Sequence, residues 1–202
     1  MPGRLIYLMG PSGSGKDSLI EAAALVLQQF GCLVAQRTIT RSAEAVGEAA
    51  VGVSSSEFQL LKEQGAFALS WHANGLDYGI PAHIDRWLAA GHHVLINGSR
   101  AHLKLVQLDY PTLVPILLTV EYGVLRQRLV SRGRETAQQV DERLLRNQLF
   151  TYGADPEDGA VLHRLDNSAA LTATVANLQQ MLEQILLVPA QNGIELDPMA
   201  NK

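Results

Sequence analysis

The sequence predicts a three-layer α/β fold with a parallel five-stranded core sheet. Short, continuous apolar runs of the kind covered on both faces in parallel sheets alternate regularly with segments of helical period. A Gly-rich turn at 10–15 joins the first apolar run to the first helical segment. Strands and helices alternating in this way require right-handed crossovers.

The first strand is Leu5-Ile6-Tyr7-Leu8-Met9. Leu19, Ile20, Ala23, Ala24 and Leu27 then recur at helical spacing up to Gly31, which is placed to be the C′ glycine. A second strand is expected over 33–37. Residues 42–55, rich in small side chains and containing Gly47 and Gly52, read as a mobile connection. Ser54 and Glu57 have capping-box spacing for a short helix that carries Phe58, Leu60 and Leu61 and ends at Gly65. Pro81 suits the first turn of another helix, running to Ala90 before Gly91, so the two helices flank a small insert over 67–80. Strands are expected at 93–97 and 113–120 with a helical stretch over 100–109 between them. Helices over 121–132 and 138–150 follow, joined by a Gly-containing, Arg-dense bend, and then a last strand over 161–165. A closing helix over 169–187 shows Leu171, Val175, Leu178, Leu182 and Ile185 on one face. Residues 189–202, with Pro198 and few apolar side chains, read as a loosely ordered tail. No internal repeat or low-complexity tract is visible.

At 202 residues the chain suits one domain that buries its core without disulfides or a structural metal. The expected division is a single domain over 1–187, with an insert at about 38–80 and a lid at about 126–146, followed by a tail over 188–202. Lys and Arg number 16 against 20 Asp and Glu, and the net charge of −4 argues against a nucleic-acid partner, so any phosphate must meet a local basic patch. Cys32 is the sole cysteine, which precludes an intrachain disulfide and suits a reducing cytosol; its apolar surroundings make it a buried thiol rather than a nucleophile. The apolar stretch ending at Met9 is too short for a signal segment or a membrane span, so no membrane partner and a cytoplasmic location are expected. Oligomeric state stays open, a homodimer being one option.

Gly10-Pro11-Ser12-Gly13-Ser14-Gly15-Lys16, set between strand and helix, is a phosphate-binding P-loop. Its glycines permit the curvature that points backbone N–H groups inward, and Lys16 is placed to reach the β and γ phosphates of ATP. The motif ordinarily ends in Ser or Thr, whose hydroxyl ligates Mg²⁺, whereas Lys16 is followed by Asp17 and then Ser18. Ser18 does not simply substitute, because one residue along a helix turns the side chain by roughly 100°. A carboxylate beside phosphates requires a cation between them, so Asp17 is the candidate Mg²⁺ group, directly or through water; the alternative is a first-turn acid that complements the helix dipole.

Six of the 16 basic residues fall between Arg126 and Arg146: Arg126, Arg128, Arg132, Arg134, Arg143 and Arg146. Arg132-Gly133-Arg134 sits on the bend and Arg143 and Arg146 are three apart on the next helix, so several guanidinium groups can converge on triphosphate oxygens when the segment closes. A solvated helix face is the other reading, and it suffices for Arg126.

The loop 10–16, Thr38-Ile39-Thr40-Arg41 with Gly47-Glu48, the Tyr78-Gly79 pair, the Arg-rich bend and Asp166-Asn167 together resemble the guanylate kinase family across nearly the whole chain. That resemblance implies a P-loop NTPase fold, with Arg41 on a phosphate of the acceptor and Tyr78 lining its site. It also implies Arg132, Arg134 and Arg143 acting from the lid and Asn167 at the adenine, although Asn167 is equally placed to cap a helix. Guanylate kinases carry a second arginine, a tyrosine and a guanine-reading glutamate where this chain has Ala43-Glu44, Ala50-Val51 and Leu69-Ser70. Losing those polar contacts forfeits base discrimination, so guanine is not the expected acceptor.

The strings 10–18, 67–76 and 97–102 resemble a narrower branch, the ribose 1,5-bisphosphate phosphokinases of bacterial phosphonate degradation, which use ATP to make 5-phosphoribosyl 1-diphosphate. By this resemblance the chain is an enzyme whose partner is a small sugar bisphosphate. Arg41 and Arg100 are nominated for acceptor phosphates, with His72, Asn74, Asn97 and Ser99 as weaker hydroxyl or phosphate contacts. His72 is also readable as an ordinary packed polar residue, and His92-His93 as a strand entry without metal-ligand spacing. Two rival readings are a nucleoside monophosphate kinase and a non-catalytic guanylate-kinase-like interaction module, the latter being expected to have lost its phosphate loop.

Overall fold

The computed structural model describes residues 2–41, 50–133, 136–151 and 161–187. β1 (Leu5–Met9) is buried at every position and leads through the loop into α1 (Lys16–Ala22) and α2 (Ala24–Gln29). The two helices continue one path, since Ala23 N–H donates to Leu19 O and Leu27 N–H to Ala23 O. Gly31 then turns the chain at φ +60, a conformation glycine adopts without steric cost.

The strand expected over 33–37 is in fact two strands in two sheets. β2 (Cys32–Val34) pairs with the core sheet, Ala35 N–H still bonds Leu95 O, and the chain then crosses to begin β3 (Arg37–Ile39) in the second sheet. Residues 42–49 lie outside the described residues; the remainder of the expected connection contains a strand, β4 (Ala50–Gly52), parallel to β3. α3 (Ser55–Glu63) opens with the capping box: Ser54 Oγ accepts from Glu57 N–H at 3.2 Å and Ser54 N–H donates to Glu57 Oε2 at 2.7 Å. β5 (Phe67–Ala73) and β6 (Leu76–Pro81) form a hairpin closed by Asn74-Gly75, both at positive φ (53 and 75), the two-residue turn that Asn-Gly favours. Pro81 therefore ends a strand, where its missing N–H costs no interior ladder bond, and α4 (Ile84–Ala89) starts three residues later than Pro81 suggested.

β7 (His93–Asn97) is followed by a 3₁₀ turn over Arg100–His102 and by α5 (Leu103–Asp109). β8 (Val114–Thr119), α6 (Tyr122–Ser131), α7 (Ala137–Thr151), β9 (His163–Asp166) and α8 (Leu171–Leu182), with a π-helical turn over Glu183–Leu187, complete the described chain. The tail from 188 lies outside it.

The core sheet runs β2-β7-β1-β8-β9, parallel throughout, and the second sheet runs β4-β3-β6-β5. Side-chain alternation along β1 separates two cores. Leu5, Tyr7 and Met9 face Trp71, Ile80, Ile84 and Val106, while Ile6 and Leu8 face Leu19, Leu27, Leu178 and Leu182. The three layers follow from that alternation, and the loops at the carboxyl ends of β1, β7 and β9 meet along one edge.

Candidate active site

The loop between β1 and α1 has the form its glycines allow. Gly13 (φ +93) and Gly15 (φ +89) are left-handed, and a Cβ on Gly15 would stand 2.7 Å from Asn167 Nδ2. Gly15 is thus required both for backbone and for space. Lys16 Nζ donates to Gly10 O at 2.8 Å and Pro11 O at 3.1 Å, which folds it over the loop.

Asn167, only 2% exposed, braces the loop from β9's end: Nδ2 donates to Ser14 O at 2.7 Å and Oδ1 accepts from Thr174 Oγ1 at 2.8 Å. The capping alternative fails, because α8 starts after Ala170 and has no side-chain cap. Asn167 does line a cleft of ≈ 480 Å³ beside Gly15, Ser18, Arg128, Arg132 and Leu171.

Asp17 is held from the neighbouring strand. Asn97, the last residue of β7, donates from Nδ2 to Asp17 Oδ1 at 3.0 Å. Asn97, nominated from the sequence as an acceptor contact, thus stands beside the loop through a contact across 80 residues that local sequence does not show. Asn97 Oδ1 and Ser14 Oγ are buried without a hydrogen-bond partner among the described residues.

Above the loop, Leu125 and Leu129 of α6 pack with Val140 and Leu144 of α7 into a small separate core. That packing carries Arg143 Nη1 to 3.3 Å from Ser12 Oγ and Arg128 Nη1 to 3.5 Å from Ser14 O. Arg128 belongs to the basic stretch but was not singled out by sequence; its position one turn before Arg132 on the same helix was the available signal. Arg132 caps α6 and is exposed at the cleft, Arg126 pairs with Asp141 on the solvated face at 3.1 Å, and Arg134 lies outside the described residues.

On the other side of the sheet edge, Tyr78 of β6 stands opposite Ile39 of β3, near the strand end that leads to Arg41. Its ring stacks on Trp71 (centroids 5.4 Å apart, planes 5° apart) beneath the Arg37 guanidinium, and His102 stands 6.0 Å from Trp71. The Ser99 backbone is pinned by Tyr7, whose hydroxyl donates to Ser99 O at 2.8 Å and accepts from Ser99 N–H at 2.9 Å. Burial pushes the Tyr7 phenol well above its ordinary range, so it remains a neutral donor. Burial, and then the nearby Arg164, draw the Arg100 guanidinium below its usual value; Arg164, on the edge strand β9, is a cation that sequence reasoning missed. His72 is exposed with Nδ1 2.9 Å from Asp77 Oδ1, and Asn74 sits in the hairpin turn at φ 53. Cys32 is buried, its thiol pushed up to about 12 by burial, and stands apart from this chemistry.

No family model matches the chain. It is 59% identical over 178 residues to the ribose 1,5-bisphosphate phosphokinase PhnN of Pseudomonas fluorescens, covering 88% of this chain and 94% of that one. It is 53% identical over 184 residues to the protein of the same description from Azotobacter vinelandii, covering 91% and 98%. The chain belongs to the ribose 1,5-bisphosphate phosphokinase family. A guanylate kinase from Anaplasma phagocytophilum, at 17% identity, superposes with a TM-score of 0.64 over 91% of this chain and 86% of its own, which places the family's P-loop kinase fold among the guanylate-kinase-like folds. Membership makes the chain a kinase, and the curved glycine loop under Lys16 suits the nucleotide phosphates such an enzyme handles. Among the described residues no helix is long and apolar enough to cross a membrane, and no cluster of three or more His, Cys, Asp or Glu side chains forms a metal cage.

Proposed function

We propose that the protein transfers the terminal phosphoryl group of ATP to ribose 1,5-bisphosphate with Mg²⁺ present, yielding 5-phosphoribosyl 1-diphosphate and ADP. The observation that carries this reading is the 59% identity, over nearly the full length of both chains, to a ribose 1,5-bisphosphate phosphokinase. The attacking atom is an oxygen of the acceptor's own 1-phosphate, already ionised at neutral pH, so the site needs positioning and charge neutralisation more than a general base.

The residue roles belong to the same proposal. Loop residues 10–15 with Lys16 hold the ATP phosphates, with Asp17 and Ser18 at the start of α1 beside them. The purine lies in the cleft at Asn167 and Leu171. A divalent cation fits the donor set: Asp17 supplies a carboxylate and Asn97 a buried acceptor oxygen, without a partner among the described residues, for a metal-bound water, and Mg²⁺ is characteristically held through one or two carboxylates with phosphate and water completing its shell. Arg132, Arg134 and Arg143 neutralise the transferring phosphoryl group from the lid at about 126–146. Arg41, Tyr78, Ser99, Arg100 and His72 serve the acceptor, which the insert at about 38–80 grips. The unit is a single cytoplasmic domain over 1–187 with a tail over 188–202, acting on small molecules without nucleic acid or membrane.

Incubation with ATP, Mg²⁺ and a panel of acceptors tests this. Turnover of ribose 1,5-bisphosphate with negligible turnover of GMP, AMP and CMP is expected; efficient GMP phosphorylation without sugar turnover would replace this reading by a nucleoside monophosphate kinase.

A further inference from the structure

We infer that Asn97 is a positioning residue for the divalent cation, and that the carboxylate and the neutral oxygen that usually flank that cation have exchanged places in this chain. The inference rests on the nucleotide site proposed above and is independent of the acceptor.

In P-loop enzymes generally the cation meets a Ser or Thr hydroxyl directly after the loop lysine and a carboxylate on a core strand. In this chain the residue after Lys16 is Asp17, and the side chain that reaches it from β7 is the amide of Asn97. β7 is the hydrogen-bonded neighbour of β1, with Leu8 opposite Asn97, so Asn97 stands at the strand end directly beside the origin of the loop. One carboxylate and one neutral oxygen are still present, but the charge now sits on the helix and the neutral group on the strand. The formal charge offered to a cation is unchanged.

The amide does what a second carboxylate would not. Its NH₂ group donates to Asp17 Oδ1 at 3.0 Å, fixing the carboxylate and leaving Oδ2 to face a cation or its water. A carboxylate at 97 would instead repel Asp17 at that distance. Asn97 is 6% exposed and its Oδ1 is buried with no partner among the described residues. A buried acceptor left unmet is unfavourable, and a metal-bound water is a donor of the kind it lacks. Ser18, the nearest hydroxyl on α1, is exposed and lies one helical residue, a rotation of roughly 100°, from Asp17, so it does not take the place of that side chain.

The test uses Mn²⁺ as a spectroscopically visible cation, with its affinity for the protein–ADP complex measured by electron paramagnetic resonance and ADP affinity measured separately in EDTA. Asn97→Ala is expected to weaken Mn²⁺ binding about 10- to 100-fold while metal-free ADP affinity stays within about twofold, a split that a merely structural defect would not produce. Asp17→Asn alone should lose Mn²⁺ similarly, and the exchange variant Asp17→Asn/Asn97→Asp should regain most of it. Mn²⁺ affinity within about twofold of wild type in Asn97→Ala, or an exchange variant no better than Asp17→Asn, overturns the inference. Should Asn97→Ala fail to fold by circular dichroism, the exchange variant, which keeps both polar side chains, decides alone. Wild-type protein that binds no ADP would instead defeat the nucleotide site itself.

Discussion

Asn167 shows how one side chain couples fold and site. It is buried, both ends of its amide are engaged, and the group it holds is the carbonyl of Ser14 in the middle of the phosphate loop. Asn167→Ala removes the short bonds to that carbonyl and to the Thr174 hydroxyl, leaving only Arg128 Nη1 at 3.5 Å from Ser14 O and Asp166 O at 3.3 Å from Thr174 Oγ1, and each buried hydrogen bond lost costs about 0.5–1.5 kcal/mol. Chemical denaturation should register that loss together with weakened ADP binding. Asn167→Asp is nearly isosteric yet should be worse for ADP, because it removes the donor and sets a carboxylate against Ser14 O and near the phosphates. If Asp binds ADP as well as Asn does, the brace is not what organises the loop. The type of residue was legible in sequence but its role was not, because the Ser14 contact spans 153 positions and the amide could equally have capped a helix.

At the scale of elements, what sequence revealed was whatever depends on neighbours in the chain. The buried run of β1, the capping box at Ser54 and Glu57, and the positive-φ glycines 31, 65 and 91 at helix ends all rest on local chemistry, and all are present. What depended on distant partners was misread. The run from 33 to 37 looks like one strand, but Leu33 pairs with Val94 while Arg37 pairs with Ala50, so the chain changes sheets in mid-run. Asn74-Gly75 was the opposite error, since a local hairpin signal lay within a string valued for its resemblance. Its backbone angles give a direct test. Asn74→Gly should leave stability and the acceptor KM unchanged, whereas Asn74→Ala, forced to φ near +53, should lose about 1–2 kcal/mol in thermal unfolding. A raised acceptor KM in Asn74→Gly would restore it as a ligand.

For the whole molecule, the end of the sheet opposite the loop is fastened by Arg4. Its backbone N–H donates to His93 Nδ1 at 3.0 Å, its Nη1 to Ile185 O at 3.0 Å and its Nε to Thr112 O at 3.3 Å, joining β1, β7, the entry to β8 and the C-terminal π turn. Two histidines share this neighbourhood, and burial first, then the Arg4 charge, lowers the pKa of both His93 and His163. The sign follows directly. Near pH 6.5 the unfolded histidines take up protons that the folded ones resist, so stability is complete above that pH and is lost as pH falls from about 6.5 towards the depressed folded values. Protonating His93 at Nδ1 also removes the acceptor for Arg4 N–H. The thermal unfolding temperature should therefore be lower at pH 5.5 than at pH 7.5. His93→Asn, which keeps an acceptor oxygen, combined with His163→Asn should flatten that fall while leaving ADP binding at the far end of the sheet intact. An undiminished fall in the double variant would place the pH sensitivity elsewhere, and a loss of ADP binding would show that the two ends of the sheet are coupled.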